Sequence, residues 1–275
     1  MNPSTARLQA ETVWKLLATV RERQPLVHNI TNFVVMNNTA NALLAVGASP
    51  AMIHSSDEVE DFVAVSQALV VNIGTLYSEQ IAACKLAALR ARAAGVPWIL
   101  DPVGAGATPY RRAAASALAG LHPTAVRGNG SEILALAERT QAAGQGRGVD
   151  SLHAPETAVE AARRLAADSQ TAVAITGAVD YVTDGHRVAA IENGHSLMAR
   201  VTGMGCSATA VIGAFLGVER DAFAATVAGL AVFGVAGEIA AQRARGPGSL
   251  QVELLDALYA LDEATLKATL RVTSN

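Results

Sequence analysis

Short apolar runs closed by Gly, Pro, Asn or Asp recur along this chain and alternate with Ala-rich stretches of helical character. The runs are SPAMIHS (49–55), ALVVNIGT (68–75), VPWILDPVG (96–104), PTAVRGN (123–129) and QTAVAITG (170–177). Each reads as a buried strand whose C-terminal end opens into a polar loop. Helices are predicted between them, near Asp57–Gln67, Ser78–Ala94, Tyr110–Gly120, Ser131–Glu138 and Pro155–Ala167. The alternation predicts an α/β fold of right-handed βαβ units, with a mostly parallel central sheet flanked by helices on both faces. In such a sheet ligands gather beyond the carboxyl ends of the strands, so the polar residues there are the candidates for chemistry.

After Ala174 the rhythm changes. Residues 178–201 read as short strands joined by the turn signals Asp184-Gly185 and Asn193-Gly194, and three helical stretches finish the chain. The Gly-rich segment 138–156 returns to the same βα rhythm, so it reads as a surface excursion and not as a domain boundary. One domain over residues 1–275 is expected.

Composition narrows the core. Apolar residues make up 51% of the chain but aromatics only 4%, so Ala, Val, Leu and Ile must fill the interior, as suits helices packed on a buried parallel sheet. The net charge of −3 comes with scattered basic residues, which argues against nucleic acid as a partner and for small molecules. Two cysteines, Cys84 and Cys206, and no charged-then-apolar leader point to a cytoplasmic protein. The apolar run 223–241 is interrupted by Gly and polar residues, and no membrane span is expected.

The three lysines, Lys15, Lys85 and Lys267, never follow a glycine, so no Walker A loop exists. No G-x-G-x-x-G follows a predicted strand, and GAGAT (104–108) has the wrong spacing. The six histidines show no zinc-type pairing; His28 and His54 read as structural. What remains is Gly203-x-Gly205-Cys206 immediately before a helical run. Glycines there allow close backbone approach to an anion, and the helix start supplies free N–H groups and a positive dipole end; a plain packing turn is the alternative.

In order along the chain, PLVHNITNFVVMNNTANALLAVGASPAM (25–52), VVNIGTL (70–76), ILDPVGAGAT (99–108), AVRGNGSEI (125–133), AITGAVDYVTDG (174–185), VTGMGCSATAVIGAF (201–215) and GPGSLQVELLDALY (246–259) resemble the hydroxyethylthiazole kinases. The resemblance implies a ribokinase-like fold and transfer of a phosphoryl group from ATP, with Mg2+, to the primary alcohol of 4-methyl-5-(2-hydroxyethyl)thiazole, a step of thiamine salvage. It also implies a homotrimer with substrate sites at the subunit boundaries.

Carried over by that resemblance, Arg127 and Thr176 bind ATP, Asn32, Met52 and Gly203 bind the thiazole, and Gly203, Gly205 and Cys206 form the phosphate hole. Glu132, in the N-x-x-E spacing from Asn129, is implied for Mg2+, through water or directly, and Asp101, a second acid on the ligand-binding edge, is a candidate for the same metal network or for anchoring its loop. The Asn129–Glu132 spacing also fits a helix cap. Asn37, Asn38 and Asn41 are spaced to share one helix face near the substrate motifs. Cys206 stands where most ribokinase-like enzymes have the Asp that takes the alcohol's proton. A free thiol titrates near about 8.5, and a helix N-terminus lowers that value, so a thiolate base is expected, with a packing role as the alternative. Met204 departs from the family, which more often has a small residue or Thr between the glycines.

Overall fold

A computed structural model describes residues 3–141 and 155–274. Its strands are β1 (Leu26–Ile30), β2 (Ser49–Ala51), β3 (Ala68–Asn72), β4 (Trp98–Asp101), β5 (Ala125–Asn129), β6 (Ala172–Thr176), β7 (Asp180–Thr183), β8 (Val188–Ile191) and β9 (Val272–Ser274). The helices are α1 (Pro3–Arg23), α2 (Met36–Val46), α3 (Val59–Val65), α4 (Ser78–Ala94), α5 (Pro109–Ala119), α6 (Gly130–Gln141), α7 (Pro155–Ser169), α8 (Met204–Leu216), α9 (Ala222–Arg243), α10 (Pro247–Ala260) and α11 (Glu263–Thr269). The segment 142–154, the body of the proposed surface excursion, lies outside the described residues.

The strands form one sheet in the order β2-β1-β3-β4-β5-β6-β7-β8-β9. Pairing is parallel from β2 to β6 and antiparallel from β6 to β9. Alternation within the apolar runs feeds two cores. Val70 and Ile99 join the cluster under α1, α2, α8, α9 and α10, whereas Leu69, Val71, Trp98 and Leu100 join the one under α3 to α7. A strand covered on both faces has no solvent side, which is why β3, buried at every position, reads as an unbroken apolar run.

Local chemistry sets the boundaries. Thr108 caps α5 by accepting from the Arg111 amide, with Pro109 in the first turn. Asp221 caps α9 by accepting from the amides of Phe223 and Ala224. Phe215 of α8 is fully buried; truncating such a side chain to Ala costs about 3–5 kcal/mol.

Three expectations need correction. Four helices and a strand, not three helical stretches, end the chain: Asp262 accepts from the Thr265 amide and starts the short α11, after which β9 pairs with β8. Of the two turn signals only Asp184-Gly185 makes a hairpin, with Asp184 accepting from the amides of His186 and Arg187. At Asn193-Gly194 the Asn193 side chain instead turns inward, donating to Glu238 and the Thr269 carbonyl and accepting from the Arg271 amide, and the chain enters a 3-10 helix at Ser196–Arg200. Finally, α9 runs uninterrupted for 22 residues and is long and apolar enough to cross a membrane by length and composition; 72% of its apolar window is buried inside the fold, against α8 and α10.

Candidate active site

The carboxyl ends of β1, β3, β4, β5 and β6, neighbours in the sheet, each deliver a polar side chain to one row. Just past β1, Asn32 donates from Nδ2 to Asn72 Oδ1 of β3 at 2.9 Å. Asn72 donates from its own Nδ2 to Asp101 Oδ2 of β4 at 2.8 Å. The other oxygen of Asp101 lies 3.9 Å from Arg127 Nη1 of β5, and Arg127 Nη2 donates to Thr176 Oγ1 of β6. Parallel pairing in register, with Asn72 opposite Asp101 and Asn129 opposite Thr176, builds this row from residues far apart in sequence.

The start of α8 closes over the row. Gly203 precedes the helix at φ 83°, a left-handed conformation that side chains strain to adopt, and a Cβ there would also stand 2.7 Å from Val35 Cγ1. At Gly205 the guanidinium of Arg127 occupies the space a Cβ would need. The cation therefore packs directly against the backbone of the glycine turn. Thr209, one turn further, donates to Asp101 Oδ2 at 2.9 Å and ties α8 to β4. Cys206 is the third residue of α8, and its Sγ lies 3.5 Å from Asn32 Nδ2. The free amides and positive dipole end of this helix thus converge with Arg127 on one place suited to an anion.

Asn129 and Glu132 form the reciprocal cap that their spacing suggested. Asn129 Oδ1 accepts from the Glu132 amide at 2.9 Å, and Glu132 Oε2 accepts from the Asn129 amide at 2.8 Å. Glu132 Oε1 accepts from the Gly104 amide at 2.9 Å, so the same carboxylate also fastens the loop after β4. With each oxygen already engaged by an amide, Glu132 fits a cation better through water than as a direct ligand. Among the described residues no group of three or more His, Cys, Asp or Glu side chains is arranged to hold a metal by itself. Asp101 Oδ1 is buried without a hydrogen-bond partner.

Burial dominates the electrostatics. Asp101 is pushed up to about 6 chiefly by burial, with the Glu132 charge adding to the shift and Arg127, Thr209 and Asn72 opposing it. Burial also pushes the Cys206 thiol up to about 11, and the Asp101 charge adds to this against Asn72, Asn32 and Arg127. This reverses the expected lowering. The helix N-terminus acts on Cys206, but desolvation and a buried carboxylate outweigh it.

The structure thus brings together Asn32, Asp101, Arg127, Thr176, Gly203, Gly205 and Cys206, with Glu132 beside them. Met52 follows β2 at the same sheet edge, partly exposed, but no hydrogen bond or ring contact joins it to this row. Asn37 and Asn41 do share a face, bonded at 3.0 Å, and Asn38 accepts from Gln251 of α10 at 2.7 Å. All three line a small cavity of about 160 Å3 with Gly203 and Met204. His28 and His54 are structural: His28 bonds the Ile53 carbonyl and His54 the backbone of Thr31. Asn72 and Thr209 were missed as site residues, although both lie inside the motifs quoted above. Met204 lines both that small cavity and a larger one, of about 540 Å3, bounded by Arg127, Thr176 and Gly205.

The sequence and fold have close relatives. The model of the hydroxyethylthiazole kinase family matches residues 17–264. A hydroxyethylthiazole kinase from Granulibacter bethesdensis is 56% identical over 268 residues, covering 98% of this chain and 96% of its own length. The solved hydroxyethylthiazole kinase from Pyrococcus horikoshii superposes with a TM-score of 0.89 at 42% identity, over 96% of this chain and 99% of that one. A Bacillus subtilis pyridoxal kinase, solved as an ADP complex, shares the fold with a TM-score of 0.59 at 18% identity, over 78% of this chain and 91% of its own. With the ribokinase-like sheet, the glycine turn on Arg127 and the Asn-x-x-Glu cap all in place, the match over nearly the whole length means that this chain belongs to the hydroxyethylthiazole kinase family.

Proposed function

We propose that this protein transfers the γ-phosphoryl group of ATP to the primary alcohol of 4-methyl-5-(2-hydroxyethyl)thiazole, giving the thiazole phosphate used in thiamine salvage. The observation that carries the reading is the packing of Arg127 on the Gly203–Gly205 turn at the start of α8, with Cys206 and Asn32 alongside. Phosphoryl transfer asks mainly for positioning and for positive charge around the migrating group, and this corner supplies both. Arg127 and the α8 amides neutralise the phosphoryl oxygens, and Thr176 steadies Arg127. Asn32, with its Oδ1 held by the Val34 amide and its Nδ2 beside Cys206, orients the acceptor alcohol, with Met52 on the same edge as the thioether contact for the ring. As the new O–P bond forms, Cys206 Sγ in its thiolate form takes the alcohol's proton, and the bond to ADP breaks.

Asp101 and Glu132 are the carboxylates that would hold Mg2+; the unpartnered, buried Oδ1 of Asp101 fits a cation, and phosphate and water would complete the ligand set. The ion would spread the negative charge of the polyphosphate. We further read residues 1–275 as one kinase domain, a reading supported by one sheet carrying the whole row. A homotrimer with the thiazole pocket at the subunit contact is supported by the exposed side chains of Phe33, Val34, Leu44 and Val252. A cytoplasmic location is supported by the two unpaired cysteines, Cys84 and Cys206. A panel of acceptors tests the function: with Mg-ATP, hydroxyethylthiazole is phosphorylated and ribose, pyridoxal and a hydroxymethylpyrimidine are poor or inert. Equal or faster turnover of any other alcohol would move the protein to a different substrate class.

A further inference from the structure

The cavity of about 540 Å3 beside Gly205 lies within the range of pockets that enclose small ligands, roughly 300–1,000 Å3. It has two unlike parts. Arg127 and Thr176, bonded to each other, make a cationic part at the glycine turn, and Met198, Leu230 and Phe233 make an apolar part built by the 3-10 helix and α9. The first suits phosphate and the second suits a flat base.

Four other polar side chains line the same space: Asp180, Asn193, His195 and Ser196. Asn193 is fully engaged, with Nδ2 donating to Glu238 and the Thr269 carbonyl and Oδ1 accepting from the Arg271 amide. His195 Nδ1 accepts from the Leu197 amide at 3.1 Å, and both His195 and Ser196 stand exposed at the rim. Asp180, at the start of β7, is different. Its Oδ1 accepts from the Gly177 amide at 2.9 Å, which fixes the carboxylate in the cavity wall, and its second oxygen has no hydrogen-bond partner among the described residues. Asp180 is also close enough to Arg127 to feel its charge.

A fixed carboxylate repels a polyphosphate unless a cation lies between them, and the carboxylates read above as holding that cation are Asp101 and Glu132. Asp180 lines the same cavity as Met198, Leu230 and Phe233 while lying within reach of the Arg127 charge. The portion of a nucleotide between phosphate and base is the sugar, and its vicinal hydroxyls are a pair of donors matched to a carboxylate that has acceptor capacity to spare. We infer that Asp180 is the residue that reads the ribose of the nucleotide, accepting a hydrogen bond from its hydroxyls and selecting ribonucleotides over deoxynucleotides. The inference rests on the kinase reading above for the identity of the ligand, and the Gly177 bond makes the selection rigid.

The test is direct binding, by calorimetry without any acceptor alcohol, of ADP and 2′,3′-dideoxy-ADP to the wild-type protein and to Asp180→Asn. The wild type should bind ADP at least about tenfold more tightly, a factor equivalent to ~1.4 kcal/mol, and Asp180→Asn should bring the two affinities within about twofold. A purely structural role would weaken both nucleotides equally and leave their ratio untouched. Equal wild-type affinities would overturn the inference, as would an unchanged ratio in the variant. So would a variant that keeps the ratio but shifts the Mg2+ dependence of binding, because that assigns Asp180 to the metal. If Asp180→Asn does not fold, Asp180→Ser, which keeps a short polar side chain next to the Gly177 amide, is read the same way, and a wild-type ratio in it overturns the inference. Normal ribose selection in a protein that leaves the thiazole alcohol untouched would sink the substrate reading and leave this inference standing.

Discussion

Replacing Cys206 separates a proton-accepting thiol from a packing residue. With the thiol at about 11, only about one molecule in 10⁴ carries a thiolate at pH 7, a handicap of ~5 kcal/mol for a group acting as base. If Cys206 takes the proton, Cys206→Ala lowers kcat by about 10²-fold or more with little change in KM. Cys206→Asp acts in the opposite direction. The new carboxylate sits in the same buried place beside Asp101, which is itself raised only to about 6, so a substantial fraction is ionised at neutral pH. That gain of about 10⁴ in ionised population is offset by the weaker basicity of a carboxylate, leaving a net rise in kcat of about 10- to 100-fold. The assay is steady-state kinetics of all three proteins from pH 6 to 10. Wild-type kcat should climb throughout that range, and the Asp variant should flatten above neutrality. A near-wild-type kcat for Cys206→Ala, together with a loss in Cys206→Asp, would refute the reasoning and make Cys206 a packing residue beside an apolar ring.

Other consequences follow from the same row of residues. Asp101 titrates at about 6 in the fold against an ordinary 3.8, so its protonated form is favoured: its contribution is fully present below 3.8 and is lost as pH rises through 6, a difference of ~3 kcal/mol. Asp101→Asn should therefore raise Tm at pH 7.5, lose that advantage by pH 4, and abolish turnover; a lower Tm at pH 7.5 would show that the Arg127 contact outweighs desolvation. Glu132→Gln replaces one carboxylate oxygen by an amide nitrogen facing a backbone N–H, at Gly104 or Asn129, and should cost about 1–3 kcal/mol in urea denaturation. It should also raise the Mg2+ requirement, and a stability loss with unaltered Mg2+ dependence would leave only the cap. Light scattering with parallel activity measurements should show a trimer, whereas full activity in a demonstrably monomeric sample would contradict the shared pocket.

Much of this was legible in the sequence because parallel strands announce themselves twice, by an apolar run and by the polar residue that ends it. Asp101, Arg127 and Thr176 all sit at such ends, and α4 spans Ser78–Ala94 as its pattern predicts. β1 was not singled out as a strand, since His28 and Asn29 interrupt its apolar run; both are nevertheless buried, with His28 bonded to the Ile53 carbonyl and Asn29 to the Val27 carbonyl. β9 was invisible because three residues of ordinary polarity become a strand only through pairing with β8. The thiol's shift was misjudged for a similar reason. Proximity of Cys206 to a helix start is a local fact, but its burial and the neighbouring Asp101 charge come from a residue more than a hundred positions away, delivered by the sheet. Thr209 and Asn72 escaped notice because their role is to bond other side chains, a relation that spacing alone does not encode.

The destination of the γ-phosphoryl group is what separates a thiazole kinase from any other ATP-consuming protein. Phosphorus NMR of wild-type protein with Mg-ATP and hydroxyethylthiazole follows that transfer atom by atom: the γ-phosphorus signal of ATP should decline as that of a new phosphate monoester on the primary alcohol grows in equal measure, with ADP as the other product. Release of inorganic phosphate without the ester, or no loss of ATP at all, would contradict it.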